Sequence, residues 1–171
     1  MRGRAVPLIC TLAFLAASPA HGGEADQAVG LFMQSCVRFA GDSTGLRRWA
    51  TQTGLKPLPP GGQAAFLQNQ RGIAYDATNP QGKFVVASGE AGSCFVVAEH
   101  ADAGQLTSDL EQALQQGGLP FTGGAETVDP ADKNLRHREF RVRKANHSWR
   151  IVLSTGVADS GAHPMLTILP E

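Results

Sequence analysis

Apolar residues recur every three or four positions from Val29 to Ala40, taking in Phe32, Met33, Cys36 and Val37, so this segment predicts a helix with one buried face. Glu24 and Asp26 at its start and Arg38 near its end suit the helix dipole, and Gly41 supplies a stop. A second, shorter helix follows, capped by Asp42 or Ser43, with Leu46, Trp49 and Ala50 facing inward and Gly54 at its end. The run from Leu55 to Gly62 carries three prolines and reads as a stiff loop, and Gln63 to Asn69 as a short helical piece presenting Phe66 and Leu67.

From Gly72 the period falls to two. Ile73–Ala77, Lys83–Ser88 and Ser93–Glu99 are rich in Val, Phe and Tyr, and Asn79-Pro80-Gln81-Gly82 and Gly89-Glu90-Ala91-Gly92 between them are turn sequences, so three antiparallel strands form a meander. Asp102 and Gln105 then resemble a capping box for a helix with Ala103, Leu106, Leu110, Ala113 and Leu114 on one side and Gly117-Gly118 at its close. A polar, Gly-rich loop from Leu119 to Asn134 leads to His137–Lys144 and Ser148–Thr155, hinged at Ala145-Asn146-His147, and Met165–Leu169 closes the sheet. The blocks predict an α+β domain: an antiparallel sheet of five to six strands with the N-terminal helices and one central helix packed on one face. No internal repeat is visible in the residues.

The first 22 residues have a different character. Arg2 and Arg4 precede the apolar run Ala5–Ala17, which is too short to span a bilayer, and Ser18-Pro19-Ala20-His21-Gly22 offers small residues for cleavage after Ala20 or Gly22. Residues 1–22 are therefore expected to be a signal peptide and 23–171 a single periplasmic or secreted domain. Cys10 is not expected to be a lipidated cysteine, because Ile9 stands where a small residue is needed and the apolar run continues past it. Of 15 Lys+Arg and 15 Asp+Glu, cleavage removes Arg2 and Arg4 and leaves a formal charge of −2. Such a balance gives no general attraction to nucleic acid or anionic membrane, and no later segment is apolar enough for stable membrane insertion.

Cleavage also leaves two cysteines, Cys36 and Cys94, and an even pair in an exported chain predicts a disulfide. Cys36 belongs to the helical stripe and Cys94 shares a strand face with Val96 and Ala98, so both point inward. The alternative makes Cys94 a thiol nucleophile with His100 or another histidine as its base. The five histidines, His21, His100, His137, His147 and His163, lack metal-ligand spacing, so no metal and no cofactor is expected. Asp42-Ser43-Thr44-Gly45 has one residue too many for the turn of an aspartic protease. There is no G-x-S-x-G, P-loop or G-x-G-x-x-G, and Asn146-His147-Ser148 is a glycosylation sequon by letter alone.

One local charge signal remains: Arg136, Arg138, Arg141, Arg143, Lys144 and Arg150, in and beside two predicted strands. If Phe140 and Val142 face the core, Glu139, Arg141 and Arg143 face outward, and Arg150 joins them across the turn. Arg141, Arg143 and Arg150 are thus candidates for binding an anion or an acidic partner; a solvated strand face that discourages aggregation is the plainer reading.

The helix segment Phe32-Met33-Gln34-Ser35-Cys36, the segment Gly54-Leu55-Lys56-Pro57-Leu58-Pro59 and the strand Gly92-Ser93-Cys94-Phe95-Val96-Val97 resemble those of a family of small exported proteobacterial proteins of unknown function. That resemblance implies a periplasmic setting and no catalytic residue. The sequence thus predicts an exported, soluble, non-enzymatic domain that binds a protein partner or anionic ligand in the cell envelope, for example as an inhibitor or immunity-type protein. An envelope hydrolase using Cys94 and a structural accessory of an envelope complex are the alternatives.

Overall fold

The stripe of the first segment does face inward, but on a helix that changes pitch. The computed structural model describes residues 23–68, 70–144, 146–157 and 160–171; the expected leader, with Cys10 and His21, lies outside them. Helix α1 (Glu24–Phe32) runs into a single π turn, Met33–Val37. The wider turn accommodates an extra residue, so Ser35, Cys36 and Val37 are all buried, and the Ser35 hydroxyl is satisfied by donating to the Leu31 carbonyl at 2.6 Å. Gly41 then takes a φ of +80°, where a Cβ would come within 2.9 Å of the Trp149 ring.

Helix α2 (Ser43–Gln52) starts at Asp42, whose carboxylate accepts from the Gly45 N–H at 2.8 Å; the aspartic-protease-like letters are a helix cap. Helix α3 (Pro60–Leu67) begins with Pro60, and helix α4 (Ala103–Gln116) begins at Asp102, which accepts from the Gln105 N–H at 2.7 Å.

The sheet has eight strands rather than five or six: β1 (Lys56–Pro57), β2 (Gly72–Asp76), β3 (Phe84–Gly89), β4 (Cys94–Ala98), β5 (Phe121–Val128), β6 (Leu135–Lys144), β7 (His147–Gly156) and β8 (Met165–Pro170). All neighbours are antiparallel, in the order β1-β2-β3-β4-β8-β7-β6-β5. The two extra strands are the edges. β1 is two residues inside the proline-rich loop, and β5 lies in the predicted loop, with only Phe121 partly sheltered.

This order has an internal symmetry. β1 to β4 and β5 to β8 are two four-strand units laid out in mirrored succession, meeting where β4 pairs with β8, and each is preceded by a helix, α1 or α4. Those two helices pack on each other. Together with Leu46 of α2, their apolar sides (Phe32, Leu106, Leu110 and Leu114) meet Val86, Val96, Phe140, Ile151 and Ile168 in one core on the helical face of the sheet.

One element departs from the expected single-faced arrangement. α3 packs on the opposite face, where Leu67 joins Ala74 and Ala87 with Phe66, Val85 and Phe95 around them. Gln63 pins it there: its Nε2 donates to the carbonyls of Leu58 and Ala74 at 3.0 and 2.7 Å, and its Oε1 accepts from the Ala74 N–H at 2.8 Å. Two-faced burial explains why β3 is buried at nearly every position instead of alternating. Within the described residues, no helix is long and apolar enough to cross a membrane.

Candidate recognition surface

Hairpin β6–β7 carries the basic cluster, and its pleat sorts the cations onto two faces. Phe140 and Val142 are buried on the helical face, so Glu139, Arg141 and Arg143 stand on the opposite one. The register puts Arg150 directly across from Arg141, and Ser148 across from Arg143. The three candidate arginines therefore lie together. Arg141 Nε is 3.2 Å from Glu171 Oε1, and Arg150 Nη1 is 3.6 Å from Glu139 Oε1, while Arg143 has no ion pair among the described residues. Arg141 is 72% exposed and Arg150 44%. A hollow of about 320 Å³ opens beside them, lined by Thr122, Arg141, Arg143, Ser148 and Glu171.

The other cations of the cluster belong to the helical face and are used within the fold. Arg138 pairs with Glu111 of α4 at 3.0 Å and lies over the Phe140 ring at 5.5 Å, and Arg136 is 3.6 Å from Glu126 of β5. Lys144 donates to the carbonyls of Val37 and Arg38, both at 2.8 Å, and so closes the end of the π turn.

Beside the arginines the open face turns apolar. Val152 stands opposite both Glu139 and Thr167, and Leu169 stands opposite Arg150. Thr167 is in turn the cross-strand partner of Phe95, whose ring belongs to the α3 cluster. Val152 and Leu169 are half-buried and join neither core cluster. The Thr167 hydroxyl is shielded from solvent yet has no hydrogen-bond partner among the described residues.

The same face holds a group that the sequence reading missed. His137 and Ser154 are cross-strand neighbours; Nδ1 of His137 lies 2.9 Å from Ser154 Oγ, and Nε2 lies 2.7 Å from Asp129 Oδ2. Asp129 Oδ1 accepts from the N–H groups of Asp132 and Ala131 at 2.9 and 2.7 Å. These bonds, the one to Asp132 foremost and then the contact with His137, hold the Asp129 carboxyl below the usual carboxylate range. The connectivity is that of acid, base and nucleophile, but the setting is wrong for acyl transfer. Ser154 is 7% exposed and sits mid-strand with a paired strand on either side, so its backbone N–H is committed to the sheet instead of facing an oxyanion. What the relay does is fasten the 129–134 loop to β7.

Cys94 is bonded to Cys36, with Cα atoms 5.2 Å apart, and both are buried. The sulfur that the thiol-nucleophile alternative requires is thus engaged. His100 is exposed and lies 3.5 Å from Glu99, His163 Nδ1 meets the Glu99 carbonyl at 3.1 Å, and His147 is exposed on β7. No cluster of three or more metal-binding side chains occurs among the described residues. No family model, curated protein or solved structure matches this chain, so its function has to be argued from its own geometry.

Proposed function

We propose that this protein is an exported, non-enzymatic binding domain that captures a protein partner in the cell envelope through the open β5–β8 face, with Arg141, Arg143 and Arg150 receiving acidic side chains. The observation that carries the reading is the direct cross-strand placement of Arg141 and Arg150, with Arg143 two positions along. Like charges opposite one another oppose folding, and here they stand exposed, on a stretch of the sheet where no helix among the described residues adds to a buried cluster. Glu171, which accepts one hydrogen bond from Arg141 Nε, and Glu139, 3.6 Å from Arg150 Nη1, offset part of that repulsion and leave guanidinium donors for a bidentate carboxylate. The leader pattern of residues 1–22 and the paired cysteines support an envelope setting.

The test uses residues 23–171 as bait in periplasmic extract, comparing wild type with Arg141→Ala/Arg143→Ala. Each lost charge-assisted contact is worth about 1.5–3 kcal/mol, so capture should fall at least tenfold. The melting midpoint should stay within about 1 °C, because exposed charges add little to stability. Raising salt from 0.1 M to 1 M shortens the screening length from about 10 to about 3 Å and should weaken capture of the wild type as well. A double variant that captures its partner undiminished would refute the proposal.

A further inference from the structure

We infer that the element of the partner seated on this face is an acidic amphipathic α-helix, lying across β6, β7 and β8 as α3 lies across the other half of the sheet. The inference rests on the binding reading above and names the partner's chemistry. Its first support is the internal symmetry. In the first unit the chain between β1 and β2 forms α3 and covers the face; in the second unit the chain between β5 and β6 is a short loop, residues 129–134, and among the described residues no helix joins a buried cluster on the equivalent face.

Continuity is the second support. Phe95, packed against the cluster of Leu67, Ala74 and Ala87 that α3 covers, pairs across strands with Thr167, and Thr167 pairs with Val152, so that ground extends through Thr167 onto the open half. There it ends against Arg150, Arg141 and Arg143. A helix with an apolar stripe toward Val152 and Leu169 and carboxylates along the flank toward the arginines complements both features. The dimensions agree: three strands about 4.8 Å apart span about 10 Å, and eight residues of helix, the length of α3, span about 12 Å.

Two other occupants fit less well. A second copy docked with its two-fold axis through the cluster would set these arginines against their own image. An added strand would use the free edge of β5, where the register shift between Gly123 and Glu126 breaks the ladder.

The experiment places a photo-crosslinking residue at position 152 or 169 of the 23–171 protein and maps the attachment points on the captured partner. The result expected is crosslinks to apolar residues three and four apart, with Asp or Glu on the adjacent flank, and loss of those crosslinks in Arg141→Ala/Arg143→Ala. Val152→Glu, with a melting midpoint like wild type, should cut capture at least tenfold. Attachment at every second residue, attachment to another copy of this chain, or arginine-dependent capture without crosslinks from either position would overturn the helix while leaving the binding proposal standing. Capture indifferent to the arginines would overturn both.

Discussion

Reducing the Cys36–Cys94 bond should weaken the domain by about 3 kcal/mol. The bond ties the π turn after α1 to β4 across a sequence separation of 58, and closing a loop of that size removes about 4 kcal/mol of chain entropy from the unfolded state. Strain and residual structure usually return part of this, so 2–4 kcal/mol is the range to expect. For a domain of 149 residues that corresponds to roughly 2–4 °C in Tm for each kcal/mol. Urea melts of oxidised wild type, reduced wild type and Cys36→Ala/Cys94→Ala measure it, and the last two should nearly coincide. Single serine variants refine the test. Ser88 lies opposite Cys94 on the same buried face, and its hydroxyl has no partner among the described residues, so a serine at 94 has a hydroxyl to meet. A serine at 36 sits within the apolar core and should cost more. Should reduction shift the urea midpoint by no more than the equivalent of about 0.5 kcal/mol, the loop-closure argument fails.

Three further outcomes follow from other parts of the molecule. Leu110→Ala on α4, at a fully buried position in the helical-face core, should cost about 2–5 kcal/mol in urea melts while partner capture at 4 °C is retained; a loss under 1 kcal/mol would contradict the packing described. Asp129 has a folded pKa below its ordinary 3.8, so its contribution is complete above that value and is lost as pH falls through the lower one; wild type should lose more stability than Asp129→Asn between pH 5 and pH 2, and equal losses would refute this. Ser154 should remain unlabelled by a fluorophosphonate probe in the native protein, and stoichiometric labelling there, found by peptide mapping, would reinstate a serine hydrolase.

The elements legible in the sequence are those that bury one face in a regular period. α4 shows its stripe and its Asp102 cap, and β2 to β4 and β6 to β8 show turn sequences between runs of Val, Phe and Ile. β5 escaped notice because an edge strand exposed almost throughout has no alternation to display, and its Gly123-Gly124 pair reads as loop. β1 is two residues among prolines, held only by pairing with Asp76 and Tyr75. The relay was hidden by a single position. A three-residue turn at 145–147 sets His137 opposite Thr155; the observed pairing of Lys144 with His147 moves every partner by one and brings Ser154 to His137. The duplicated layout was invisible because it lives in strand order and not in any shared residue pattern.

The two faces of hairpin β6–β7 use their cations differently, and the ion pairs separate them. On the helical face the ion pairs and hydrogen bonds of the cations reach other elements: Arg138 to α4, Arg136 to β5 and Lys144 to the π turn. The contacts of Arg138 and Lys144 tie the second unit to the helical layer, and that of Lys144 uses backbone carbonyls at a helix end. On the open face the ion pairs of the arginines among the described residues are with Glu139, beside them on β6, and Glu171, next to the end of β8. No helix is fastened by these pairs, and exposed pairs of this kind contribute little to stability. A surface kept only for solubility would be served as well by alternating signs. Three arginines gathered on the half of the sheet that lacks its own α3 are better accounted for by something that arrives from outside the chain.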